Sequence, residues 1–247
     1  MSSSNASARN TILFIQNDET DPPHLVGQWL AAEGFTIANV KAYAGELIPS
    51  EISEDVAGII PLGGHMNANE DALYPFLTVE KNLLRKAVEE EVPVFAICLG
   101  TQLLAVATGG KVEQSPQSEI GIFDIELNDS AKTDSVFNFA SSAKVTQWHE
   151  DVVTELPAGA TLLASSPLCT NQVYRIGATT YGVQFHPEVD SGIIRGWEEH
   201  ADHALQMSEK RGVEAEVAEY DEELARIWQP ALHSWAEVVR DHWNRKA

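Results

Sequence analysis

The chain has 247 residues, 44% of them hydrophobic, with 37 acidic against 16 basic residues and a formal net charge of −21. That apolar share excludes a disordered chain and gives enough material for a substantial core. The negative charge excludes a nucleic-acid surface, because phosphates would be repelled, and leaves a small ligand or a protein partner open.

The first ten residues, MSSSNASARN, are small and polar and lack the apolar stretch of a signal peptide. They read as a loose, disordered arm over 1–10, and no run approaches the ~20 apolar residues that span a bilayer. A soluble, cytoplasmic protein is expected, with no membrane partner. Two cysteines, Cys98 and Cys169, are too few for a disulfide framework or a cysteine-rich metal site. Both are expected as thiols, with no metal bound.

TILFIQ (11–16) reads as a buried strand, PPHLVGQWLAAEG (22–34) as a helix stopped at Gly34, and FTIANVKAY (35–43) as a second strand. VAGIIPLGG (56–64) is a third strand entering a Gly-Gly turn, and YPFLTVEKNLLRKAVEEE (74–91) an amphipathic helix. PVFAICLG (93–100) is a fourth strand, followed by a short helix over 101–110. Continuously apolar strands alternating with helices predict a parallel sheet covered on both faces. Strand-like segments then follow in quick succession at 119–127, 143–151, 161–166, 171–177 and 179–189, so hairpin pairing and a mixed sheet are expected. From Ser191 the pattern is helical. Leu224, Ile227, Trp228, Leu232, Trp235, Val238, Val239 and Trp243 form an apolar stripe, and Pro230 is expected to kink or split it. This acidic C-terminal segment either packs on its own domain or docks a partner, a second copy included.

Cys98 is at the point where the fourth strand gives way to a helix. A tight turn there lifts a side chain out of the sheet, and a helix N-terminus favours the thiolate. The flanking Ala96 and Gly100 are small, so the turn can close, much as in the G-x-S-x-G elbow that presents serine. A sulfur nucleophile needs a base, and the base an orienting group. In YGVQFHPEV, His186 and Glu188 are two apart, and in an extended segment both would point to one side. Oxyanion donors are expected from the N–H of Leu99, at the helix start, and from the Gly63-Gly64 turn.

These motifs resemble the class I (triad-type) glutamine amidotransferases. The resemblance rests on PLGG (61–64), PVFAICLGTQLLA (93–105), EIG (119–121), WHED (148–151) and YGVQFHPEV (181–189), in the family's order over about residues 11–205. It is nearest to the free-standing branch similar to the amidotransferase domain of GMP synthase, which also holds the plant γ-glutamyl peptidases. The resemblance implies a flavodoxin-like α/β fold: a three-layer sandwich with a mixed, largely parallel central sheet over 11–205, plus a helical C-terminal extension over 206–247. It also implies Cys98 as nucleophile, His186 as general base and acid, and Glu188 as orienting acid. Gly64 and Leu99 would be the oxyanion donors, and Gly63, Gln102, Glu119, Trp148 and His149 would contact glutamine. No cofactor is implied. The ammonia released would go to a separate synthetase subunit, since no G-x-x-x-x-G-K-[ST] loop is present; the alternative is a stand-alone hydrolase of another γ-glutamyl compound. His65 departs from the proline common in the family and is expected either to change the oxyanion-loop conformation or to put an extra polar group near the substrate. Cys169 reads as structural.

Overall fold

In a computed structural model of the chain, residues 9–200 and 210–246 are described. Most of the arm expected at 1–10 therefore lies outside the described residues. Arg9 and Asn10 are docked: the Arg9 guanidinium lies 4.0 Å over the Trp243 ring, and Asn10 donates its N–H to the Asp55 carbonyl.

Nine strands form one sheet. Strands β1 (Thr11–Gln16), β2 (Thr36–Lys41), β3 (Val56–Pro61), β4 (Val94–Ile97) and β9 (Thr180–Val183) pair in parallel, in the order β2-β1-β3-β4-β9. Beyond β9 the sheet continues antiparallel through β8 (Val173–Ile176), β7 (Thr161–Ser165), β5 (Lys111–Leu127) and β6 (Ser142–Glu155). The mixed sheet follows the expectation. β5 begins earlier than the expected 119, since VEQSPQS, polar and holding a proline, carries no strand signal yet joins the ladder. The ladder is irregular there, between Gln114 and Glu119.

Alternate residues of each inner strand feed opposite layers, as the pleat requires. Ile12, Phe14, Phe95 and Ile97 point to one face and share a core with Val26, Trp29 and Leu30 of α1 (His24–Ala32). Leu13, Ile15, Val94 and Ala96 point to the other and pack with Leu83 and Leu84 of α2 (Phe76–Glu89) and Leu103 and Leu104 of α3 (Leu99–Ala107). The first face is completed by α4 (Ser191–His200), α5 (Val213–Ala218) and α6 (Asp221–Lys246).

The C-terminal stripe is buried in that same core. Trp235 meets Phe95 edge to face at 5.8 Å, Trp228 lies 4.5 Å from Phe185, and Trp243 donates its indole N–H to the Ala57 carbonyl at 2.8 Å. Gly58 leaves the space Trp235 uses, since a Cβ there would lie 2.9 Å from its ring. The split expected at Pro230 does not occur: α6 is one helix of 26 residues. A mid-helix proline costs ~3 kcal/mol. Burial of Trp228, Ala231, Leu232 and Trp235 around it, at about 1.5–3 kcal/mol per large side chain, outweighs that cost. Among the described residues no helix is long and apolar enough to cross a membrane.

Candidate active site

The loops that follow β1, β3, β4 and β9 all leave the sheet at the carboxyl ends of adjacent parallel strands, where α/β sheets hold their ligands. They carry Asn17–Asp21, Gly63–Gly64, Cys98 and Gln184–Glu188 respectively.

Cys98 separates β4 from α3 and takes φ 47°, ψ −110°, a region that costs a side-chain-bearing residue about 1–3 kcal/mol. The surrounding backbone imposes it. Cys98 N–H donates to the Val183 carbonyl at 2.9 Å, and Gly100 N–H to the Leu62 carbonyl at 3.1 Å. Gly100 must lack a side chain, because a Cβ would lie 2.2 Å from the Pro61 oxygen. Ala96 is accommodated: it pairs with Gly182 across β9 and is fully buried. The helix begins at Leu99, two residues earlier than expected.

His186 and Glu188 are buried, with the His186 Nδ1 to Glu188 Oε1 distance 2.6 Å. Their segment follows β9 as bends and a turn and is not the extended strand expected. The turn is fixed by His186 N–H donating to Thr146 of β6 at 2.9 Å and Leu25 N–H donating to the Glu188 carbonyl at 3.1 Å. The other imidazole nitrogen is left to Cys98. Burial pulls His186 down, but the neighbouring Cys98 sulfur, by charge and hydrogen bond, outweighs it and holds the imidazolium above its ordinary range. Burial pushes Glu188 up to about 8. Gln184, fully buried, points its amide at the Cys98 sulfur at 3.7 Å.

A cavity of about 540 Å³ opens over Cys98 and His186. Gly64, Gln102, Trp148 and His149 line it; Gly63, Leu99 and Glu119 do not. Gly63 makes room for something else, because a Cβ there would lie 2.1 Å from Asp21 Oδ2 and 3.0 Å from the His186 ring. Gly64 abuts Leu99, its missing Cβ 3.1 Å from Leu99 Cδ2, so the two expected N–H donors are neighbours. Glu119 stands behind His149, 3.2 Å from its Nε2, and accepts hydrogen bonds from Ser166 Oγ at 3.0 Å and Gln172 Nε2 at 3.1 Å. Gln102 donates its amide to the Asp151 carbonyl at 2.9 Å. His65 bridges Asp18 Oδ2 at 2.5 Å and the Tyr74 hydroxyl at 3.2 Å, tying the loop after β3 to the first strand's loop. Although burial opposes it, bonds from His65 and Thr20 hold Asp18 down to about 2.

Three contributors had no sequence signal: Asp21, Gln184 and Trp197. Trp197 of α4 lies edge-on to His186 at 4.9 Å and to Trp148 at 5.4 Å, and donates to the Thr20 carbonyl. Cys169 is buried away from the cavity, and burial pushes its thiol up to about 12.

The family model of class I glutamine amidotransferases matches residues 27–195. The glutamine amidotransferase-like protein YfeJ of Salmonella typhimurium is 30% identical over 225 residues, covering 87% of this chain and 93% of that protein. The glutamine-hydrolysing GMP synthase of Bacillus pumilus is 34% identical over 58% of this chain, but that match spans only 28% of its own length. Among solved structures, a glutamine amidotransferase of Thermotoga maritima superposes with a TM-score of 0.82 at 26% identity, covering 94% of this chain and 98% of that one. A glutamine amidotransferase of Methylobacillus flagellatus gives the same TM-score at 27% identity over 95% of both. The chain belongs to the class I glutamine amidotransferases, a family of enzymes that hydrolyse the glutamine amide.

Proposed function

We propose that Cys98 attacks the side-chain amide of glutamine and releases ammonia and glutamate through a γ-glutamyl thioester. The observation that carries this reading is the elbow: a strained Cys98 beside an imidazole whose far nitrogen is bonded to a buried carboxylate. In this reading His186 takes the thiol proton, and the thiolate adds to the amide carbon. The oxyanion forms against the N–H groups of Leu99, in the donor-rich first turn of α3, and Gly64. His186 then protonates the departing ammonia. It next activates the water that releases glutamate, and Glu188 stabilises the imidazolium in both halves. Segment 11–205 carries the chemistry, and the helices after it close the core.

A second reading, hydrolysis of a larger γ-glutamyl compound, is favoured by the cavity. Its volume falls within the about 300–1,000 Å³ that holds drug-sized ligands. In the first reading the ammonia passes to a separate synthetase; in the second no partner is needed. Ammonia from glutamine and glutamate from γ-glutamyl dipeptides, assayed side by side, separate the two. Cys98→Ala is expected to lower turnover of the true substrate roughly a thousandfold or more. Wild-type turnover of both substrates by that variant would sink the proposal.

A further inference from the structure

Asp21 has no place in the triad as read above, yet it is buried against it. One side-chain atom each of Asp21, His186 and Glu188 lies within 4.8 Å of the other two. All three are nearly sealed from solvent, at 3%, 4% and 0% exposure. Asp21 and Glu188 therefore face each other at close range, although two ionised carboxylates have no donor between them. Asp21 Oδ1 and Glu188 Oε2 are each buried with no donor among the described residues. Two carboxylates packed this closely in a dry site cannot both be ionised, and one shared proton supplies the missing donor.

The remaining question is which carboxyl holds the proton. Glu188 Oε1 is 2.6 Å from His186 Nδ1, so the imidazolium favours charge on Glu188. Asp21 has no such cationic bond; it faces Glu188, His186 and, from its own loop, Asp18. Burial first, then the Glu188 charge, raises Asp21 well above the ordinary carboxylate range. Its place is enforced. It precedes Pro22-Pro23, which bias it toward an extended backbone. The side chain fills the space left by Gly63, and α1 behind it is clipped to the Glu188 turn through Leu25.

Resting on the triad reading, we propose that Asp21 is a positioning residue. Held as the neutral acid, it donates its O–H to Glu188, keeping that carboxylate ionised and aimed at His186. The triad Glu188–His186–Cys98 then has a support behind it, with the outermost proton staying on Asp21 throughout turnover.

The test uses the full chain with Asp21→Asn and Asp21→Ala, and Cys98→Ala in parallel. An asparagine amide donates where the acid O–H did, so Asp21→Asn should keep kcat in the wild-type range with an unmoved pH profile. Asp21→Ala removes the donor, so Glu188 ionises less readily. Its kcat should fall, up to roughly a hundredfold, with KM little changed, and the acid limb should move to higher pH. Alkylation of Cys98 by iodoacetamide over the same pH range reads that shift without a substrate. Should alanine prevent folding, Asp21→Leu, which fills the space without a donor, takes its place beside the asparagine variant. The inference is overturned if Asp21→Asn falls as far as Asp21→Ala, which would mean that charge is needed and not a donor. It is equally overturned if Asp21→Ala matches wild type. If Cys98→Ala stays active, the triad reading itself has failed, which is a separate result.

Discussion

On the parallel side of the sheet the site is held by backbone. Cys98 is bent into a costly φ by N–H hydrogen bonds that it and Gly100 donate to main-chain carbonyls of β9 and the 61–64 turn, and Gly100 rests on the Pro61 carbonyl with no room for a methyl group. On the antiparallel side the site is held by side chains. Glu119, Ser166 and Gln172 form a buried polar cluster behind His149, and Thr146 anchors His186 through one main-chain bond. In the proposed mechanism His186 changes its protonation state during turnover, and a network of hydrogen bonds can adjust to that. In the same mechanism Cys98 meets a carbonyl carbon at one angle, and a locked backbone would provide it.

The sharpest way to break this contrast is Gly100→Ala. Overpacking usually costs about 1–3 kcal/mol, but here the obstacle is the Pro61 main chain. The loss of stability in urea should exceed that range; a loss below it would mean that the elbow yields easily.

Glu80 is the exception on the parallel side: a fully buried acid behind the oxyanion turn, bonded by Asn17 Nδ2 at 3.2 Å and pushed by burial to about 8. The unfolded chain releases this proton near its ordinary 4.5, while the folded chain keeps it to about 8. Stability is therefore lost as pH rises through that window, by about 1.4 kcal/mol per unit. Glu80→Gln removes the penalty. It should stabilise the fold more at pH 8 than at pH 6 in urea melts, and an equal gain at both would show that Glu80 ionises freely.

Glu119→Gln tests the other half. It exchanges one acceptor oxygen for a donor in a cluster that needs acceptors. KM should rise about tenfold, near the low end for a hydrogen bond to a charged group, while kcat holds. A fall in kcat alone would place Glu119 with the machinery of the base and not with the pocket wall.

The contrast also explains what could be read in the sequence. Cys98, Gly100, His186 and Glu188 lie within short contiguous stretches whose local chemistry is self-explanatory, and strand–helix alternation with apolar runs gave the layered sheet. Asp21, Gln184 and Trp197 reach the site only because β1, β9 and α4 converge, and nothing in DETDPP or GWEEH indicates which neighbour each will meet. The geometry assumed for His186 and Glu188 was wrong in form, since a turn and not a strand brings them together. Gly63 belongs to the site, but its missing side chain makes room for Asp21. The stripe on α6 was legible as apolar, while the side it would cover depended on packing, and Pro230 proved compatible with a continuous helix.

Trp235 has a consequence for synthesis. It packs on strand residues made well over a hundred positions earlier, Gly58 and Phe95. Until α6 leaves the ribosome, that stretch of the sheet lacks part of its cover and remains a sticky apolar surface. The strand that ends beside Cys98 is thus made long before the helix that seals its layer.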